Sequence, residues 1–331
     1  MWSIKIFKKS FIVLLIIVAG LLIGCKQKNP VGGITVVSSI FPQYDFARII
    51  GGDKIRSVLL LPPGIDPHSF DPKPSDLMEL KQSSLFIYTG DEMEPWADET
   101  VKSVNNTNLR VIKMSDFIGH NSADTHQCEG NCGSHSNHEC LGECSHQHGH
   151  EQQTGVDPHI WLDFGVVTAC VEAIAEELAL LDPANADYYR SNADSYIAEI
   201  TDIDNQYKSA SERFTFKTII FGGHFAFGYL AKRYGLEHVS PYSGFSTNLE
   251  PTPAQISAVV DLVRSTGTDY IFYEKFVNPR IARVISDETS TEMLMLHTAA
   301  NISLEEFEQK TTYIDLMRLN LESLKKGLGY R

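Results

Sequence analysis

Short apolar runs alternate with helical-period stretches along most of the chain, and that rhythm predicts its elements. "ITVVSSI" (Ile34 to Ile40) reads as a buried strand, and "PQYDFARII" behind it as a helix. "IRSVLLL" is the next strand and stops at Pro62-Pro63-Gly64. A short helix over "PSDLMEL", a strand at "SLFIYTG", a helix at "MEPWADETVKSV" and a strand at "LRVIKM" complete the first half. Residues 115–155 then show no apolar period; a loop of that length is functional or disordered. From Asp163 to Leu181 the period is helical, with Val167, Cys170, Val171, Ile174 and Leu178 on one face. Cys170 stands in that apolar face and reads as core. A second helix follows, with Asp182 as N-cap and Pro183 in its first turn, and runs for nearly thirty residues.

The second half repeats the first. "KTIIFGG", "LEHVSPY", "YIFYE" and "MLML" read as strands, and "HFAFGYLAKRYG", "TPAQISAVVDLVRSTG" and "NPRIARVISDET" as helices. A helix closes the chain. Strands alternating with helices predict parallel sheets, here two α/β lobes on a helical spine. A cleft between such lobes, at the carboxyl ends of their strands, is where a ligand binds.

The N-terminus departs from this rhythm. Lys5, Lys8 and Lys9 precede thirteen apolar residues, Phe11 to Ile23, too few to span a bilayer and arranged as an export signal. The run ends in "LIGC" (Leu22 to Cys25) and "KQKNPVGG" follows as a polar tether. The expected organisation is a signal over 1–24, a tether over 25–33, and a first lobe over 34–182 that contains the 115–155 loop. A linking helix over 183–213 and a second lobe over 214–331 complete it. The formal charge is −14, from 42 acidic against 28 basic residues, and removal of the signal makes it −17. Such a surface suits a protein that handles cations and disfavours nucleic acid.

Twelve histidines supply the chemistry, in two populations. Five are scattered: His68, His159, His224, His238 and His297. "GIDPHSFDP" and "VDPHIWLD" present His68 and His159 alike, with proline fixing the backbone and Asp available to the turn. His68, His224 and His297 each follow a predicted strand, so they are expected to meet near one cleft. His224 is expected to open a helix after Gly222-Gly223, where the helix dipole disfavours imidazolium and leaves the neutral ligand a metal needs. His238 reads as a hydrogen-bonded histidine at a strand end.

The other seven lie in the loop, with four cysteines. "HQCEGNC" and "HECLGEC" share the form H-x-C-x-G-x-C, twelve residues apart, unlike the C-x2-C of zinc knuckles. Two disulfides, or a thiolate–imidazole chelator, both fit an exported loop. An accessory metal collector would use His120, His126, Cys128, Cys132, His135, His138, Cys140, Cys144, His146, His148 and His150.

"LIGC", "PPGIDPHSFDPKPSD", "DPHIWLD", "GGHFAFGYLAKRYGL", "PTPAQI" and "YEKFVNPRIARVISDET" together resemble the metal-binding class of bacterial ABC-transporter solute-binding lipoproteins. The resemblance spans nearly the whole mature chain. It implies two Rossmann-like α/β lobes with parallel sheets, one long rigid helix between them, and a metal cleft where they face. It implies a lipid on Cys25, anchorage to the outer face of the bacterial cell membrane, and delivery to an integral-membrane permease with a cytoplasmic ATPase. It maps the first three ligands onto His68, His159 and His224. Manganese-binding relatives commonly carry Glu at the third ligand and Asp at the fourth, where this chain has His224 and His297. An all-imidazole shell favours Zn2+ over Mn2+, and zinc members often carry a His-rich loop at this place.

The shell has two readings at its fourth corner. Either His297 closes it, or His297 is structural and a water or Glu274 completes it. Glu274, at the end of "YIFYE", is otherwise expected to support a ligand or cap a helix. The expected function is a monomeric zinc receptor without catalysis, with a manganese or iron receptor of the same class as the alternative. A zinc hydrolase is the competing class, because three histidines with an open position can activate water. Adhesion to host surfaces is compatible with either.

Overall fold

The computed structural model describes residues 33–119, 156–244 and 250–331. Cys25 and the eleven histidines and cysteines of the accessory loop lie outside the described residues.

Four strands, β1 (Ile34–Ser38), β2 (Ile55–Leu59), β3 (Leu85–Tyr88) and β4 (Arg110–Lys113), form one parallel sheet in the order β2-β1-β3-β4. In register, Val36 pairs with Ser57 and Leu85, and Leu85 with Arg110. Between the strands run α1 (Phe41–Gly51), α2 (Pro74–Gln82) and α3 (Ala97–Ser103). The run of apolar residues through β3, and Val36 and Val37 in β1, follows from burial on both faces, as parallel sheets require. The polar stretch opens with an ordered 3-10 turn at Met114–Phe117 rather than irregular chain.

Two helices follow, α4 (Phe164–Leu181) and α5 (Ala186–Glu212). Asp163 caps α4 by accepting the Gly165 N–H at 2.8 Å. The proline turn Pro183–Asn185 separates the helices, so Asp182 precedes a 3-10 turn and the long helix starts at Ala186. Helix α5 buries Tyr189, Ala193, Tyr196, Ile200, Ile203, Tyr207 and Ala210, a stripe at alternating spacings of four and three. That stripe packs on α1, on α4 and on the last helix, α10 (Tyr313–Gly327). The Tyr207 hydroxyl donates to the Met317 carbonyl at 2.7 Å, and Tyr196 tilts against Phe46. One hydrophobic core therefore runs from the first sheet through the spine into the second lobe.

The second lobe carries β5 (Thr218–Ile220), α6 (Gly228–Arg233), β6 (Glu237–Val239), α7 (Pro253–Thr266), β7 (Tyr270–Glu274), α8 (Arg280–Thr289), β8 (Glu292–Leu296) and α9 (Leu304–Glu308) before α10. Strand β5 pairs parallel with β6, and β7 with β8. A parallel bridge, Phe221 to Phe272, joins the two pairs. Gly222 sits beside that bridge because a side chain there would fall 2.4 Å from the Cα of Ala282 in α8. The fold is thus two α/β lobes with parallel sheets linked by a long helix.

Candidate metal centre

Each lobe sends loops from its strand ends toward one point. After β2, the Pro62-Pro63-Gly64 turn leads to a 3-10 turn, Pro67–Ser69, that carries His68. Asp66 Oδ1 accepts the His68 N–H at 3.0 Å, so the D-P-H sequence builds its own cap. The second D-P-H repeats the device: Asp157 Oδ1 accepts the His159 N–H at 3.0 Å. The same oxygen stands 2.8 Å from His159 Nδ1, which turns Nε2 away as the free nitrogen. Trp161 lies against the His159 ring at 5.4 Å between centroids.

His224 comes from the second lobe. It does not open a helix, as its sequence context suggested: α6 begins only at Gly228. Phe225, Ala226 and Phe227 are all buried in a non-helical loop, so core packing overrides the helical propensity of the stretch. The neutral state expected from a helix dipole has another source. Burial, and then the neighbouring His159 and His68, lower the His224 pKa to about 3. Burial and His159 likewise lower His68 to about 4.

The three rings form a near-equilateral triangle, with centroids 5.4 Å apart for His68 and His159 and 5.7 Å for the other two pairs. One ligand nitrogen from each lies within 4.8 Å of the others. They line a cavity of about 10 Å³, room for one ion or water. His224 Nε2 is buried there without a hydrogen-bond partner. A buried polar atom left so is costly, and a cation that accepts its lone pair removes the cost.

Glu274, at the end of β7, lies beside the triangle with its side chain about nine-tenths covered. Its Oε1 accepts the Thr298 hydroxyl at 3.0 Å, and its Oε2 faces His224 Nδ1 at 3.5 Å. Burial raises its pKa to about 7. Asp157 thus stands behind His159, while Glu274 lines the cavity beside His224 with its Oε2 free of any hydrogen-bond partner.

The fourth imidazole is not in this group. His297 Nδ1 accepts the Ala299 N–H at 2.9 Å, and its Nε2 faces Glu306 Oε1 at 3.7 Å. Register explains the misplacement. Glu274 pairs with Leu296, so His297 is the neighbour of Lys275, one residue further along. Side chains alternate along a strand, and the faces alternate with them. Glu274 looks toward the triangle; Lys275 and His297 both look toward Glu306. His238 is elsewhere, on β6, its ring stacked on Phe225 at 3.9 Å. The sequence reading passed over Trp161, Thr298 and Asn301, whose only signal was proximity to a histidine or a strand end.

Two lobes, a rigid helix between them and an ion-sized histidine cage where they face are the architecture of a solute receptor for a metal cation. Residues 36–327 match the family described as "ZnuA: Zinc-uptake complex component A periplasmic", and the chain belongs to that family. It is 30% identical over 295 residues to the high-affinity zinc uptake system protein ZnuA of Bacillus subtilis, covering 88% of this chain and 87% of that one. With zinc-binding protein AdcA of Streptococcus pyogenes serotype M3 it shares 26% identity over 91% of its length, but spans only 57% of that relative. The crystal structure of the metal-dependent lipoprotein YcdH of Bacillus subtilis superposes with a TM-score of 0.71 at 28% identity, covering 89% and 99% of the two chains.

Proposed function

We propose that this protein is an extracytoplasmic receptor that captures Zn2+ on His68, His159 and His224 and hands it to an ABC-type metal permease. The observation that carries the reading is the buried, unpartnered Nε2 of His224 in an ion-sized cavity shared with two further imidazoles. Nitrogen ligands held neutral suit Zn2+, which takes imidazole at roughly 2.0–2.1 Å, better than the harder Mn2+. Asp157 orients the His159 ring; either Glu274 holds His224 from behind while a water completes four-coordination, or Glu274 Oε2 completes it itself. The zinc-uptake relatives support zinc as the cargo.

Catalysis is a poorer fit than carriage. The space that the three imidazoles share is sized for one ion or one water, which suits capture and release of a cation. Release would require the two lobes to shift relative to one another when the receptor docks on the permease, with the ATPase on the far side of the membrane. Lipidation of Cys25 would hold the receptor near that permease, and the 115–155 loop would gather zinc ahead of the cage. Fatty-acid labelling tests the anchor: Cys25→Ser should abolish label, and an unlabelled native protein would remove the anchor from the scheme.

The test of function is elemental analysis of the purified mature protein, with competitive Zn2+ and Mn2+ titration. One tightly bound zinc per chain, not displaced by equimolar Mn2+, is expected. Tighter Mn2+ binding, or no tight metal at all, would overturn the assignment.

A further inference from the structure

Residues 297–302 bind no cargo in the scheme above, yet they touch the support of every ligand. The segment leaves β8 and crosses to the first lobe. Thr298 donates its hydroxyl to Glu274, the carboxylate beside His224. The Thr298 carbonyl accepts the indole N–H of Trp161, which packs on His159, at 2.7 Å. Asn301 Nδ2 donates to the carbonyls of Pro62 at 2.8 Å and Ile65 at 2.7 Å, at both ends of the turn that leads to His68. The Gly64 N–H donates to the Ile302 carbonyl at 2.8 Å, and the Phe41 N–H at the start of α1 to the Ala300 carbonyl. Five hydrogen bonds thus tie this segment to the first lobe.

His297 holds the segment's shape. Asn320 of α10 grips its backbone at both ends, Oδ1 accepting the His297 N–H and Nδ2 donating to its carbonyl. The Nδ1 of His297 then accepts the N–H of Ala299, a residue at φ 59°. That left-handed conformation is unfavourable for a residue with a Cβ and persists only where its surroundings enforce it. Phe276, which lines the ion cavity, packs edge-on against the same imidazole.

We infer that residues 297–302 are a positioning strap that holds His68, His159 and His224 at ligand spacing, with His297 as its anchor and Asn301 as its clamp across the lobes. The inference rests on the three-histidine site proposed above. It gives His297 a role its chemistry alone concealed, as a hydrogen-bond acceptor that sets a turn rather than as a ligand. Breaking the clamp frees the His68 turn from the second lobe, so the cage loosens without losing a donor. Metal release is the step most exposed to such loosening.

The experiment uses the full chain loaded with Zn2+ for release into a chelator and with Co2+ for visible absorption. Asn301→Ala and His297→Leu should each speed zinc release by about 10–100-fold, the range for groups that orient ligands. Both should alter the cobalt spectrum, which reports ligand geometry independently of fold stability. His297→Asn should keep slow release and the native spectrum, because an Asn oxygen accepts the N–H two residues on, as in an Asx turn. Native release rates and spectra in both Asn301→Ala and His297→Leu would overturn the strap. Release from His297→Asn as fast as from His297→Leu would overturn the acceptor role. Should His297→Leu fail to fold, Asn301→Ala decides alone. A native protein that binds no zinc would instead overturn the three-histidine site.

Discussion

Glu274 Oε2 stands 3.5 Å from His224 Nδ1, the imidazole buried and the carboxylate nearly so. Glu274 ends β7 and His224 follows β5 by four residues, the two strands held side by side by the Phe221–Phe272 bridge. A carboxylate on one imidazole nitrogen leaves the other free for a metal, which is how a supporting acid fixes both tautomer and aim. Glu274→Gln should therefore weaken zinc binding by about 10–100-fold while preserving the Thr298 contact through its amide oxygen. Isothermal titration with a competing chelator reads this directly. Unchanged affinity would make Glu274 a bystander.

The cage and the loop make separable contributions. Deleting residues 121–151 should reduce the number of zinc ions bound and leave one tight site. His68→Ala, His159→Ala or His224→Ala in that background should then abolish it, since each removes one of only three clustered donors among the described residues. Loss of all tight binding on loop deletion alone would move the working site into the loop.

The residues that were legible in the sequence share a property: their geometry is encoded locally. Asp66-Pro67-His68 and Asp157-Pro158-His159 carry cap, rigid backbone and ligand within three residues. The alternation of strands and helices is equally local, and it gave the two lobes and the spine. His297 offered the same strand-end signal as His224, yet which way a side chain faces depends on strand register. The pairing of Glu274 with Leu296 is a contact between segments and cannot be read from either one. Asn301 was invisible for the same reason, since its partners, Pro62 and Ile65, lie more than two hundred residues away in sequence. The start of α6 shifted from His224 to Gly228 because the core takes Phe225 and Phe227 in a non-helical loop.

Gly228 provides a test of how tightly the lobes meet. A Cβ at this position would lie 2.5 Å from Asp157 Oδ2, whose other oxygen holds His159. Gly228→Ala should displace that carboxylate and weaken zinc binding by about tenfold, the lower end expected for an orienting group. The change favours helix α6 intrinsically, by roughly 1 kcal/mol on propensity. Affinity and metal-free stability should therefore separate, the first falling while the second holds or rises. A parallel fall in both would indicate general disruption instead.

Glu94 yields a prediction about pH rather than metal. Its carboxylate is buried where β1 and β3 end. It accepts the hydroxyls of Ser39 at 2.6 Å and Thr89 at 3.0 Å on one oxygen, and the N–H groups of Thr89 at 3.1 Å and Gly90 at 3.0 Å on the other. Those four donors favour the ion, but desolvation is the larger effect and pushes the group up to about 7. A folded pKa above the unfolded value of about 4.3 means the native state binds the proton more tightly. The stabilisation is full below the unfolded pKa and is lost as pH rises through about 7. Glu94→Gln removes the titration while keeping the contacts: its oxygen can accept both N–H groups, and its NH2 can face the two hydroxyls, which rotate to accept. In urea unfolding, the native chain should gain about 2–3 kcal/mol relative to Glu94→Gln between about pH 8 and about pH 5. Histidines and other carboxylates titrate in both proteins, so the difference isolates this one group. Parallel stability profiles would mean that the four donors win and that Glu94 is ionised in the fold throughout.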